Sequence, residues 1–90
     1  MALFVVAYDL NKGDTDDYKN LIDTLEALDS VHTQKSVWYV SREGTAKSLL
    51  NHLKPHVHEK DWLMVVEFTK EPEWTRAMTG TKAWLDRFFP

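Results

Sequence analysis

Asp9 is the residue around which a chemistry can be built. It closes the run Leu3-Phe4-Val5-Val6-Ala7-Tyr8, six apolar or aromatic residues, and the loop Leu10-Asn11-Lys12-Gly13-Asp14 follows. An unbroken apolar run of strand length reads as a strand covered on both faces. Asp9 then stands at the mouth of a buried strand, where the chain turns toward a helix. Open α/β layers gather ligand and catalytic groups at such places. A carboxylate there can hold a divalent cation. It can equally accept backbone N–H groups in the strand-to-loop turn.

Three further sets of residues have suggestive types and spacing. Asp14, Asp16 and Asp17 could add metal ligands beside Asp9, but they also crowd the first turn of a helix, where acids cap and complement the dipole. His52 and His56 are spaced i, i+4 as helical metal ligands can be, with His58 nearby. Pro55 interrupts that spacing and no carboxylate completes the set, so a solvated helix end is the plainer reading. Lys35 and Ser36, with Arg42, could line a phosphate path beside Trp38 and Tyr39, because basic and aromatic residues together suit single strands. The same residues also read as ordinary strand faces with Trp38 in the core. Trp62, Trp74 and Trp84 read as packing or interface residues. No Gly-rich phosphate loop, nucleophile elbow or Cys/His pair occurs, which leaves those enzyme classes without support.

The elements that must position these residues follow from periodicity. A first strand runs from about Leu3 to Asp9. A helix follows from about Asp14 or Thr15 to Leu28, with Tyr18, Leu21, Ile22, Leu25 and Leu28 on one stripe. Val31 to Ser41 is dense in β-branched and aromatic residues, hence one bent strand or a hairpin turning near Gln34–Ser36. No Gly or Asn-Gly decides between them. Thr45 can cap a second helix carrying Ala46, Leu49, Leu50, Leu53 and Val57, and Pro55 ends or kinks it near Lys54. Trp62 to Thr69 is the last clear strand. Glu71–Trp74 starts a turn or short helix, and Ala83-Trp84-Leu85 with Phe88-Phe89 forms a terminal amphipathic helix.

Strand, helix, strand or hairpin, helix, strand, joined by right-handed crossovers, predicts an α+β fold. It is the ferredoxin-like βαββαβ sandwich, an antiparallel sheet with two helices on one face. One domain spans residues 1–90, with a core of about 2–69 and a C-terminal extension of about 70–90. Leu3–Tyr8 and Trp62–Val66 are apolar on both sides, so the second face also needs a cover. The terminal Trp and Phe residues cover part of it, and a second copy would cover more. A homodimer with sheets packed face to face is therefore expected.

Whole-chain properties agree. Ninety residues make a domain that buries only roughly 60–65% of its unfolded surface, so dimerisation is a common remedy. The absence of cysteine removes disulfides and thiolate metal sites and suits a cytoplasmic setting. No run approaches the ~20 apolar residues needed to span a bilayer, so no membrane is expected. The net charge of −3 argues against a broad basic face for nucleic acid without excluding a local patch.

Three stretches carry a resemblance. Val5-Val6-Ala7-Tyr8-Asp9-Leu10 resembles the first-strand signature of the small CRISPR-associated Cas-two family. Gln34-Lys35-Ser36-Val37-Trp38 resembles its Gln-x-Ser-Val-aromatic stretch, and Asp61-Trp62-Leu63-Met64-Val65-Val66 falls where its last core strand begins. The virulence-associated protein D toxins are similar in fold and share the early Tyr-Asp. The match covers about Ala2 to Phe68. It implies a ferredoxin-like fold and a symmetric dimer in which Asp9 meets its symmetry mate and shares a divalent cation, Mg²⁺ or Mn²⁺. Members of the family are metal-dependent nucleases or non-catalytic subunits that hold DNA, so RNA or DNA is the implied partner. Asp9 is then the catalytic and metal-binding residue, and Lys35, Ser36 and Arg42 contact nucleic acid. The chain departs from the family where Asp14-Thr15-Asp16-Asp17 would repel a phosphate. The tail from Pro72 matches nothing in it, so docking onto an integrase is not expected and an orphan member is. A non-catalytic dimeric interaction protein that retains only the fold is the other reading.

Overall fold

β1 (Ala2–Asp9) alternates from Leu3 to Tyr8 between two kinds of burial. Phe4, Val6 and Tyr8 are buried on one face, while Leu3, Val5 and Ala7 are half-buried on the other. The computed structural model describes residues 1–10 and 15–90, with the side chains of residues 15–17 also outside the description. The suggested roles of Asp14, Asp16 and Asp17 therefore lie outside the described residues.

The chain continues through α1 (Thr15–Glu26), β2 (Asp29–Gln34), β3 (Val37–Arg42), α2 (Ala46–Leu53), β4 (Trp62–Phe68) and α3 (Thr81–Asp86). The result is an α+β fold with a four-stranded antiparallel sheet in the order β2-β3-β1-β4. The stretch left open between a bent strand and a hairpin is a hairpin. It turns at Lys35–Ser36, with a bulge between His32 and Gln34. α2 begins with a reciprocal cap in which the Thr45 hydroxyl accepts from the Ser48 N–H at 3.1 Å and the Ser48 hydroxyl accepts from the Thr45 N–H at 3.0 Å. It ends at Leu53, and Pro55 sits in a single 3₁₀ turn, Lys54–His56, because its ring cannot continue an α-helix.

Leu21 and Leu25 of α1 and Leu49 and Leu53 of α2 are fully buried against Phe4, Val6, Trp38 and Val40. Each such side chain contributes about 2 kcal/mol by leaving water. On the opposite face a smaller cluster forms from Tyr39, Trp84 and Leu85, flanked by Leu3, Val5, Val31, Phe68, Phe88 and Phe89. No regular element forms between Phe68 and Thr81, including Glu71–Trp74. The tail reaches β2 instead, where the Met78 N–H donates to the Thr33 carbonyl at 2.7 Å. Gly80, at φ 99°, then turns the chain into α3.

α3 is too short to be stable alone, and a clamp on Asp29 holds it. Arg87 grips the Asp29 carboxylate with both guanidinium nitrogens, at 3.0 and 2.9 Å. The Trp84 indole N–H donates to the same carboxylate at 3.1 Å. The guanidinium hydrogen bond holds the Asp29 carboxyl below its ordinary range. The tail thus covers the second face from β2 across to Leu3 and Val5 of β1 and Phe68 of β4. The rest of β4 stays open, with Trp62 70%, Met64 56% and Val66 47% exposed.

Trp84→Ala is expected to cost about 3 kcal/mol in chemical denaturation, because it empties the smaller core. Increased binding of a hydrophobic dye should accompany the loss. A cost below 1 kcal/mol would show that the tail does not close this face.

Candidate functional site

The strand parity that buries Tyr8 presents Asp9. Within β1, Tyr8 points to the helices and Asp9 to the open face, where it lies directly across from Trp62 of β4. Antiparallel neighbours directly opposite one another project to the same side, so Asp9, Trp62, Ala7 and Met64 form one surface. They line a shallow depression of about 280 Å³ at that end of the sheet. Among the described residues, no side-chain hydrogen bond or ion pair engages the Asp9 carboxylate.

Tyr8 is fixed from several sides. The Trp38 indole N–H donates to its hydroxyl at 3.2 Å, and the Tyr18 ring meets it edge-on with centroids 6.2 Å apart. Trp38 in turn stacks on His32, with centroids 4.5 Å apart and planes 6° from parallel. Burial pushes the Tyr8 phenol up to about 12, so it stays neutral and serves as a structural hydroxyl.

The hairpin brings the second candidate segment to the same end. The Tyr8 N–H donates to the Ser36 carbonyl at 3.1 Å, which ties the Lys35–Ser36 turn beside the exit of β1. Arg42 is placed elsewhere. It pairs with Ala2 at the far end of β3, while Val37 pairs with Ala7 near Asp9. Val37 and Arg42 are five residue steps apart along β3, about 17 Å. Lys35 and Ser36 therefore share a neighbourhood with Asp9, and Arg42 does not. Trp38 and Tyr39 are buried, on opposite faces of β3, and neither offers an exposed ring to a base.

The histidines do not converge on a site. His58 accepts at Nδ1 from the Lys60 backbone N–H at 3.1 Å, and the His58 backbone N–H donates to the Asp61 carboxylate at 2.9 Å. Among the described residues no group of three or more His, Cys, Asp or Glu is placed to hold a metal ion. Among the described residues, Asp9 is the single carboxylate that lines its depression. One carboxylate beside Trp62 and Met64 does not by itself fit Mg²⁺, which takes six oxygen ligands in near-octahedral geometry.

Periodicity did not single out the Asp29–Arg87–Trp84 clamp, which joins residues 55 and 58 positions apart. The one available signal was a run of aromatic residues in a short terminal helix with nothing local to pack on. No helix among the described residues is long and apolar enough to cross a membrane. No family model matches the chain, and no solved structure matches it.

Tyr8→Phe deletes the hydroxyl that Trp38 donates to and is expected to cost about 1 kcal/mol. In the native protein the raised phenol contributes stability that is fully present below its unfolded value of 10. That contribution is lost as pH rises toward 12. The difference between wild type and Tyr8→Phe in an ultraviolet titration should therefore show an ionisation near 12, and one near 10 would contradict the packing.

Proposed function

We propose that this chain is a Cas-two-like protein of the cytoplasm: a ferredoxin-like domain, working as a homodimer, that binds or cleaves nucleic acid at the end of its sheet where Asp9 stands. The observation that carries the reading is the coincidence of Asp9, the Lys35–Ser36 turn and the uncovered apolar strip Trp62–Met64–Val66 at one end and edge of the sheet. The antiparallel order β2-β3-β1-β4, with α1 and α2 packed into one core, supports the ferredoxin-like assignment.

An exposed apolar strip next to a carboxylate is what a symmetric interface needs in order to bring two Asp9 residues together. A single Asp9 lacks the oxygen ligands for Mg²⁺ or Mn²⁺, and a pair of chains would supply a second carboxylate. Lys35, in the turn tied to the exit of β1 through Ser36, offers the positive charge that a phosphate backbone requires. The net charge of −3 predicts weak binding that falls steeply with salt.

A non-catalytic dimeric interaction protein is the second reading. It is favoured by α3, which occupies part of the face that two sheets would otherwise share. It is also favoured by the depression beside Asp9, which no second carboxylate lines among the described residues.

Purified chain should be tested against labelled RNA and DNA with Mg²⁺ or Mn²⁺, with oligomeric state measured by sedimentation. Under the first reading the chain sediments as a dimer, and Asp9→Ala lowers cleavage by about a hundredfold or more while the dimer persists. Trp62→Lys should yield monomers. Cleavage that survives Asp9→Ala would remove the catalytic role. A dimer that neither cleaves nor retards nucleic acid at low salt would establish the second reading.

A further inference from the structure

Two hydrogen bonds bring the tail to the hairpin turn. The Gln34 side-chain amide donates to the Arg76 carbonyl at 3.1 Å, and the Met78 N–H donates to the Thr33 carbonyl at 2.7 Å. Residues 76–78 therefore run beside the last residues of β2, next to Lys35 in the turn. These ties use main-chain groups of the tail and leave its side chains in water. Arg76 is exposed, and Trp74 keeps 36% of its surface exposed.

Arg76 supplies what the other two arginines do not. Arg87 is gripped by Asp29, and Arg42 stands at the opposite end of β3 from the turn. Among the described residues no hydrogen bond or ion pair engages the Arg76 guanidinium. Trp74 likewise offers the ring that Trp38 and Tyr39 withhold by being buried. Of the acids in this segment, Glu71 acts on Lys82 at the start of α3. Glu73 lies on the far side of Trp74 from Arg76 along the chain, so a strand stacked on the indole keeps its phosphate on the Arg76 side.

An exposed indole two residues from a guanidinium, with a lysine alongside, matches a base and its backbone phosphates. A duplex keeps its base faces inside its own stack, so an aromatic platform selects single strands. Gln34 pairs with Val37, and Val37 pairs with Ala7, two residues before Asp9. Gln34 and Asp9 are thus two strand spacings and two residues apart at one end of the sheet, about 12 Å. We infer that Trp74, Arg76 and Lys35 form a cradle for single-stranded nucleic acid, with a base stacked on Trp74 and phosphates on Arg76 and Lys35, that leads the strand toward Asp9. The inference rests on the nucleic-acid reading and adds to it a single-stranded substrate and the tail residues that select it.

The test uses the intact chain with short fluorescent oligothymidylate and oligouridylate, binding being followed by anisotropy across a salt series. Both should bind more tightly than a duplex of equal length. Arg76→Gln should make the log–log salt dependence shallower by about 0.7, the loss of one phosphate contact to a single strand. Trp74→Ala should weaken binding about tenfold with that slope unchanged. Trp74→Phe should recover most of the loss, with thermal melting used to check that both variants fold. A folded Trp74→Phe variant as weak as Trp74→Ala would assign the indole to packing and overturn the inference. Tighter binding of the duplex would overturn it too. An equal change of slope in Lys47→Gln, at the start of α2, would overturn it in favour of attraction by overall charge. Single-strand binding that neither Trp74→Ala nor Arg76→Gln alters would overturn the inference alone and leave the nucleic-acid reading standing. Absence of binding to any nucleic acid at low salt would overturn both.

Discussion

Everything in this structure answers to the two apolar faces of β1. A strand with Phe4, Val6 and Tyr8 on one side and Leu3, Val5 and Ala7 on the other must be shielded twice, because each face left wet forfeits its hydrophobic contribution. The first face is shielded by the leucine stripes of α1 and α2. A ninety-residue chain has little left for the second. It uses one short helix and a few aromatic rings, anchored by a bidentate arginine on Asp29. That anchor lies at the β2 edge, and the cover it holds in place thins out toward the Trp62 end of β4.

The functional geometry is a by-product of the same arrangement. Tyr8 and Asp9 are adjacent in sequence yet belong to different environments, since consecutive strand residues point to opposite faces. The phenol becomes a buried strut for Trp38, and the carboxylate becomes a surface group beside an apolar strip. A register slip of one residue would exchange them. The uncovered part of β4 therefore meets the Asp9 carboxylate at one corner of the sheet.

Much of this was legible in the residues. The leucine spacings of both helices, the effect of Pro55, the Thr45 cap and the strands β1 and β4 follow from local physics that needs no partner segment. The stretch from Val31 to Ser41 was legible as strand but not as hairpin, because its turn lacks the glycine or asparagine that marks tight reversals. Lys35, Ser36 and Arg42 looked like one group on the chain. Strand pairing separates them, since β3 carries Arg42 to the end of the sheet opposite Asp9. Trp38 and Tyr39 likewise lose their apparent availability to burial on opposite faces.

The sequence by itself determined where α1, α2, β1 and β4 lie and that β1 and β4 would be apolar on both sides. Those properties reside in the spacing and volume of neighbouring side chains. It also determined that Asp9 would end the first strand. Only the tertiary structure decided which residues share a face, how far α3 reaches, and where apolar surface remains. Register and the Asp29 clamp set those outcomes, and both are contacts between residues far apart in the chain.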